Sequence, residues 1–311
     1  MDSLQKTSLL EFNNDTLQII RKDYNLDKPG SMDQAINILH EWVKKQNHFV
    51  KTDYPREYLE RRIIFSKGSV ERAKSTIDRN CTLKTLMPQF YDFTDFKTQY
   101  KYSDIIWDGL LPKMTDDYYR IYVIKNVGKR FDHSMMSYFQ WVIAMAEYFT
   151  AHDYNRGLII IIDYLETNLM ELLKTIDFVE FRQALTLLME GYGLRIKGIH
   201  LITSSKAVEA IVSFLKQILS AKVGQRIQVH KDLQSLHTIV QKDVLPIELG
   251  GKGRSIAQLH KEWIDVLSSK EFQEYNNKMK AACTNEKYRQ TDKFNDEYMG
   301  VAGTFKTLNV D

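Results

Sequence analysis

The chain has 311 residues and a formal net charge of +3, with 43% hydrophobic and 27% charged residues. That balance suits a folded globular protein with a large core, and the charge is too small to point to nucleic acid. Cys81 and Cys283 stand far apart, which excludes a disulfide framework or structural zinc site and suits a reducing compartment such as the cytosol. The apolar runs fall well short of the ~18 residues that a membrane-spanning helix needs. The opening MDSLQKTSLLEFNND lacks the basic start and apolar centre of a signal peptide.

Taken in chain order, the first elements read as helices. Ser31 followed by Gln34 suggests a capping box, and Met32, Ala35, Ile36, Leu39, Trp42 and Val43 then recur at helical spacing. A second helical group runs from Pro55 to Met87, interrupted at Lys67-Gly68-Ser69 and ended by Pro88. An aromatic stretch follows (Phe90, Tyr91, Phe93, Phe96, Tyr100, Tyr102) and reads as packing between domains. From Tyr118 the period changes. Strands are expected at 118–124, 158–162, 194–202 and 226–229, with helices at 134–151, 168–190 and 207–222 between them. Strands joined by long helical crossovers make an α/β fold with a mostly parallel sheet. A further helix carries Ile256, Leu259, Trp263, Val266 and Leu267, and the chain then turns polar. The expected organisation is a helical lobe over 1–95, an α/β domain over 96–253, and a helix with a polar tail over 254–311.

No reaction centre emerges from the polar residues. Gly191-Tyr192-Gly193 has Ile196 where a dinucleotide fingerprint needs glycine, and the Gly250–Gly253 run follows Pro246 rather than a strand. His133, His152, His200, His230, His237 and His260 lack paired metal spacing. Asp163 ends a strand without a partner base, and no Gly-x-Ser-x-Gly elbow occurs. The chain is therefore expected to be non-enzymatic, with no cofactor, metal or nucleic-acid partner.

Two features point to binding instead. Arg195 and Lys197 alternate on one strand, Lys222 ends the next helix and Arg226 begins the last strand. In a parallel arrangement these four cations converge at one edge, where they would form a counter-charge for phosphate. The helix at 207–222 carries Val208, Ile211, Val212, Leu215, Ile218 and Leu219 on one side, with Ala210 and Phe214 widening the apolar surface. That pattern fits a core helix, and it also fits a lid over an oily pocket.

The order GLRIKGIHLIT, apolar helix, Lys-x-x-x-Arg-Ile-x-Val-His and Leu-Pro-x-Glu-x-Gly-Gly resembles the CRAL-TRIO lipid-binding family. It is most similar to the branch of the alpha-tocopherol transfer protein and cellular retinaldehyde-binding protein, over about residues 30 to 267. The resemblance implies a sheet flooring a hydrophobic cavity that a mobile helix gates. It implies pocket positions at Ser137, Gln140, Ala144, Leu158, Ile162, Leu188, Tyr192 and Ile199, joined by Val208, Ile211, Val212 and Leu215 of the gate. It also implies phosphoinositide binding by Arg195, Lys197, Lys222 and Arg226, with Arg61 reaching in from the helical lobe. Three motifs depart from the family pattern: Tyr192-Gly193 stands for an aromatic-Pro pair, Thr203-Ser204-Ser205 lacks the Asn and Pro of the gate hinge, and Asp163-Tyr164-Leu165-Glu166 lacks a turn glycine. Ser137 and Gln140 suggest one hydrogen bond to a ligand hydroxyl or carbonyl. The function implied is a monomeric cytosolic carrier that holds one hydrophobic molecule and meets anionic membranes transiently. The alternative is a lipid-regulated adaptor without transfer activity.

Overall fold

The computed structural model describes residue 4, residues 7–128 and residues 134–289, so His133 and the tail from residue 290 lie outside it. Helices α1 (Thr16–Asp23), α2 (Ser31–Lys44), α3 (Arg56–Phe65) and α4 (Val70–Leu86) make the first lobe. Helix α2 buries Met32, Ala35, Ile36, Leu39 and Val43, as its spacing requires. The capping box does not form. Gly30, at φ +79°, takes the cap position, and the Ser31 hydroxyl donates to the Lys28 carbonyl instead. Helices α3 and α4 part at Lys67-Gly68, both at positive φ, and the Ser69 hydroxyl then accepts from the Arg72 amide at 3.3 Å.

The aromatic stretch folds inward around the short helix α5 (Phe96–Gln99). Phe96 meets Trp141 edge-on at 5.2 Å and Tyr100 stacks on it at 4.9 Å.

Five strands form one sheet in sequence order: β1 (Ile106–Leu110), β2 (Tyr119–Asn126), β3 (Gly157–Asp163), β4 (Ile196–Ile202) and β5 (Ile227–His230). β1 runs antiparallel to β2, and the other pairs are parallel. Sequence reading finds the four parallel strands and misses β1, whose centre holds Asp108 and Gly109 in place of β-branched residues.

Helix α6 (Met136–His152) crosses from β2 to β3. The single helix expected over 168–190 is instead α7 (Leu169–Thr175), α8 (Phe178–Thr186) and a π-helical turn at Leu187–Gly191. The break comes at Asp177, whose carboxylate accepts from the amides of Val179 and Glu180 and so starts a new helix. The helix at 207–222 is likewise divided, by Ser220, into α9 (Val208–Ile218) and α10 (Ala221–Gly224). Helix α11 (Leu233–His237) follows β5, and α12 (Ile256–Leu267) lies on β1, where fully buried Trp263 donates from Nε1 to the Leu110 carbonyl at 3.1 Å. Helix α13 (Lys270–Lys280) forms from residues that read as polar tail, because Phe272, Asn276 and Met279 give it one buried face.

Candidate functional site: an apolar cavity beside a basic groove

One face of the sheet floors a cavity of about 170 Å³. Even-numbered positions of the central strands supply the floor, with Tyr122 and Ile124 from β2 and Leu158, Ile160 and Ile162 from β3. Strict alternation would turn Ile196 and Ile199 of β4 to opposite faces. A register shift avoids this: Ile196 pairs with Leu158 and Gly198 with Ile159, leaving Lys197 as an extra residue, so both isoleucines face the cavity. Helix α6 walls it with Tyr138, Phe139, Val142 and Met145, and α8 with Phe181 and Ala184. Leu188 and Met189 enter from the π turn, and Leu215 and Leu219 line the remaining side.

Among the expected pocket residues, Leu158, Ile162, Leu188, Ile199 and Leu215 line this cavity. The others stand elsewhere. Gln140 donates to the carbonyls of Gln89 and Asp92 at 2.9 and 3.2 Å, on the side of α6 that meets the aromatic stretch. Ser137 and Ala144 lie on turns of α6 outside the lining. Tyr192 is buried with its hydroxyl on Glu147 at 2.8 Å. Val208, Ile211 and Val212 of α9 are outside the lining too, so the gate meets the cavity only through its last turn. The helix is nevertheless tied to α8, since Phe214 packs edge-on against Phe178 at 4.5 Å and tilted against Phe181 at 5.6 Å.

The cavity's polar atoms are withdrawn from it. The Tyr122 hydroxyl donates to Asp108 Oδ2 at 2.5 Å, and the Tyr138 hydroxyl also bonds Asp108. The Asp108 carboxylate is fully buried and further accepts from Trp141 Nε1 at 2.9 Å. Both tyrosines therefore show ring rather than hydroxyl to the cavity, and burial together with Asp108 pushes both phenols well up.

A groove of about 530 Å³ lies at the end of the sheet where β3 and β4 begin. It gathers Arg195, Lys197, Lys222 and Arg226, the four cations singled out from sequence, together with Lys67 and Arg156, against one carboxylate, Asp23. Arg156 is held by Asp23, with Nη2 2.6 Å from Oδ1. Arg195 donates to the Tyr24 hydroxyl and, at 3.1 Å, to the Asn155 carbonyl, and Arg226 donates to the Ile196 carbonyl. Lys197 lies over the Tyr119 ring at 5.0 Å. It can do so because Gly157 has no side chain, as a Cβ there would stand 2.8 Å from the Lys197 stem. Lys67, Lys197 and Lys222 have no acidic partner among the described residues. Burial and then the neighbouring cations lower the pKa of both Lys67 and Lys197, the mark of positive charge gathered without compensation.

Arg61 does not join this groove. It stands over the Tyr154 ring at 5.4 Å, in a separate hollow beside Arg21 and Glu60. Lys67, in the turn after α3, reaches the cluster instead. Arg156 was open to sequence reasoning, since it directly precedes β3 and parallel strands start at one edge. Lys67 carried no such signal.

His48, His200, His230 and His260 are buried. His200 Nδ1 lies 3.0 Å from His230 Nε2 on the opposite face of the sheet, and burial lowers His200 to about 4. Asp163 takes the Lys125 ammonium at 2.9 Å and the Leu165 amide at 3.0 Å. Among the described residues, no group of three or more metal-ligating side chains converges, and no helix is long and apolar enough to cross a membrane.

The family model for the CRAL/TRIO domain matches residues 110–251, from the end of β1 through the Gly-Gly turn that precedes α12. The chain is similar to the alpha-tocopherol transfer protein-like protein of Mus musculus, at 30% identity over 96 residues, 30% of this chain and 28% of the relative. It is also similar to clavesin-1 of Xenopus laevis, at 30% identity over 30% of this chain and 29% of that protein. The matched segment thus spans under a third of either relative. A crystal structure of Sfh5 superposes with a TM-score of 0.44 at 10% identity, covering 85% of this chain and all of that one.

Proposed function

We propose that the protein is a non-enzymatic, cytosolic, monomeric carrier that encloses one hydrophobic molecule and docks on phosphoinositide-containing membranes through its basic groove. The observation that supports this most is the pairing itself: an apolar cavity on the sheet and, at the end of the same sheet, six cations facing one carboxylate. Burial of hydrocarbon at ~25 cal/mol per Å² would supply the affinity for cargo, before the costs of association. The unpartnered lysines would supply attraction to an anionic surface at about 1 kcal/mol each.

At about 170 Å³ the cavity is near the size of one that holds a benzene-like guest, whereas sites for larger ligands run to roughly 300–1,000 Å³. Loading a tocopherol- or retinoid-sized molecule therefore requires the α8–α9 side to move, and the Phe178–Phe214–Phe181 contacts are what must slide. Native mass spectrometry of the purified full chain tests the carrier reading. A co-purifying lipid or isoprenoid is expected, and a guest-free protein from every expression host would refute it. The small volume favours one alternative, a lipid-regulated adaptor in which the guest is a fixed plug. That reading gives normal vesicle recruitment with no exchange of guest between vesicles.

A further inference from the structure

The cavity and the basic groove share three side chains. Met189, Leu194 and Ile196 line both, so hydrocarbon space and cation cluster are separated by a wall one side chain thick. Leu194 and Ile196 flank Arg195 at the head of β4. Met189 sits in the π-helical turn Leu187–Gly191, and Gly193, at φ +68°, follows it closely. An unbranched methionine in a π turn is the most readily displaced member of this wall. With it turned aside, the 170 Å³ cavity opens into the 530 Å³ groove.

Polarity along the joined space runs one way. At the β1 end the hydroxyls of Tyr122 and Tyr138 are committed to Asp108, and a guest's polar group would find no free partner. At the groove end, Lys67, Lys197 and Lys222 are without acidic partners among the described residues, and two arginines stand beside them. A neutral hydroxyl or carbonyl would leave that charge uncompensated. A phosphate carries enough charge and enough acceptor oxygens to engage several of these groups at once.

We infer that the occupant is an anionic amphiphile with a single chain, since about 170 Å³ leaves no room for two, its hydrocarbon tail free of polar groups in the cavity once the α8–α9 side has moved to admit it and a phosphate-class head in the groove, passing the wall at Met189. The inference rests on the carrier reading and names the class of cargo. The same phosphate chemistry could belong to a membrane lipid that visits the groove alone, and the experiment separates the two sources.

The full chain, stripped of guest, is titrated by calorimetry with hexadecyl phosphate, hexadecanol and butyl phosphate below their aggregation limits. Hexadecyl phosphate is expected to bind one to one, and about tenfold or more tighter than either hexadecanol or butyl phosphate. The double substitution Lys197→Gln and Lys222→Gln, at the surface, should weaken hexadecyl phosphate about tenfold while leaving hexadecanol unchanged. Leu188→Phe, which narrows the cavity, should weaken both long-chain probes and spare butyl phosphate. Equal binding of hexadecanol and hexadecyl phosphate, unaffected by the lysine substitutions, would overturn the inference and leave a carrier of neutral guests. So would vesicles of phosphatidic acid that occupy the groove without displacing bound hexadecyl phosphate. Failure of both long-chain probes to bind, with butyl phosphate still bound, would instead overturn the carrier reading itself.

Discussion

Arg62, Lys84 and Arg120 are cations like Lys67, Lys197 and Lys222, in opposite circumstances. Arg62 donates to the carbonyls of Gly191 and Tyr192, both at 3.1 Å. Lys84 meets Glu147 at 3.0 Å and the Met279 carbonyl at 3.1 Å, while Tyr192 and Tyr275 occupy the rest of the Glu147 carboxylate. Arg120 and Asp153 pair at 2.8 and 3.0 Å with both side chains fully buried. These three cations tie the helical lobe, the sheet and α13 together, and each is supplied with partners by the chain. The three groove lysines stand at exposed or half-exposed positions without an acidic partner among the described residues. Position relative to partners, rather than residue type, divides structural charge from charge held ready for a ligand.

The largest expected effect comes from breaking the first set. Asp153→Ala leaves the Arg120 guanidinium buried beside three carbonyls with no counter-charge, which should cost about 3–5 kcal/mol. Urea unfolding measures it, and a loss under about 1 kcal/mol would erase the distinction. The complementary test is Lys197→Gln with Lys222→Gln. Partitioning onto phosphoinositide vesicles should fall by about 2 kcal/mol, or roughly thirtyfold, with stability unchanged within about 0.5 kcal/mol. Vesicle co-sedimentation that does not change would return these lysines to ordinary surface charge. Smaller again is Ala184→Leu, which fills part of the cavity. It should stabilise the guest-free chain by about 1 kcal/mol and abolish uptake of a lipid, as thermal unfolding with and without guest would show.

The finest contrast is in protons. Lys67 and Lys197 are lowered from the ordinary lysine value of 10.5, so in the alkaline range just below it the folded chain holds fewer protons than the unfolded chain. Stability therefore rises with pH through that window, and this gain is absent at pH values where both states are fully protonated. A bound phosphate favours the charged lysines and reverses the effect, so binding there should take up protons. Calorimetry in buffers of different ionisation enthalpy reads this directly, and proton release would contradict it.

Much of the architecture was legible in the chain because it rests on local periodicity. The parallel strands β2 to β5, the crossover helix α6 and the break at Lys67-Gly68-Ser69 follow from hydrophobic spacing and turn residues. What failed were interruptions that a single side chain decides, such as the Asp177 cap that splits α7 from α8. Helix α13 escaped notice because three buried residues in a polar segment are too sparse a pattern to recognise.

The sequence alone determined that Arg195, Lys197, Lys222 and Arg226 would share a neighbourhood, since strands that run the same way begin at the same edge and their preceding residues meet there. Only the tertiary structure decided that Lys67 and Arg156 join them and that Arg61 does not, that Gln140 turns from the cavity, and that a shift at Lys197 brings Ile196 and Ile199 to one face. Periodicity fixes the face a residue takes within its own element. Which faces of different elements meet depends on how the helices cross the sheet, and that is settled by packing of the whole chain.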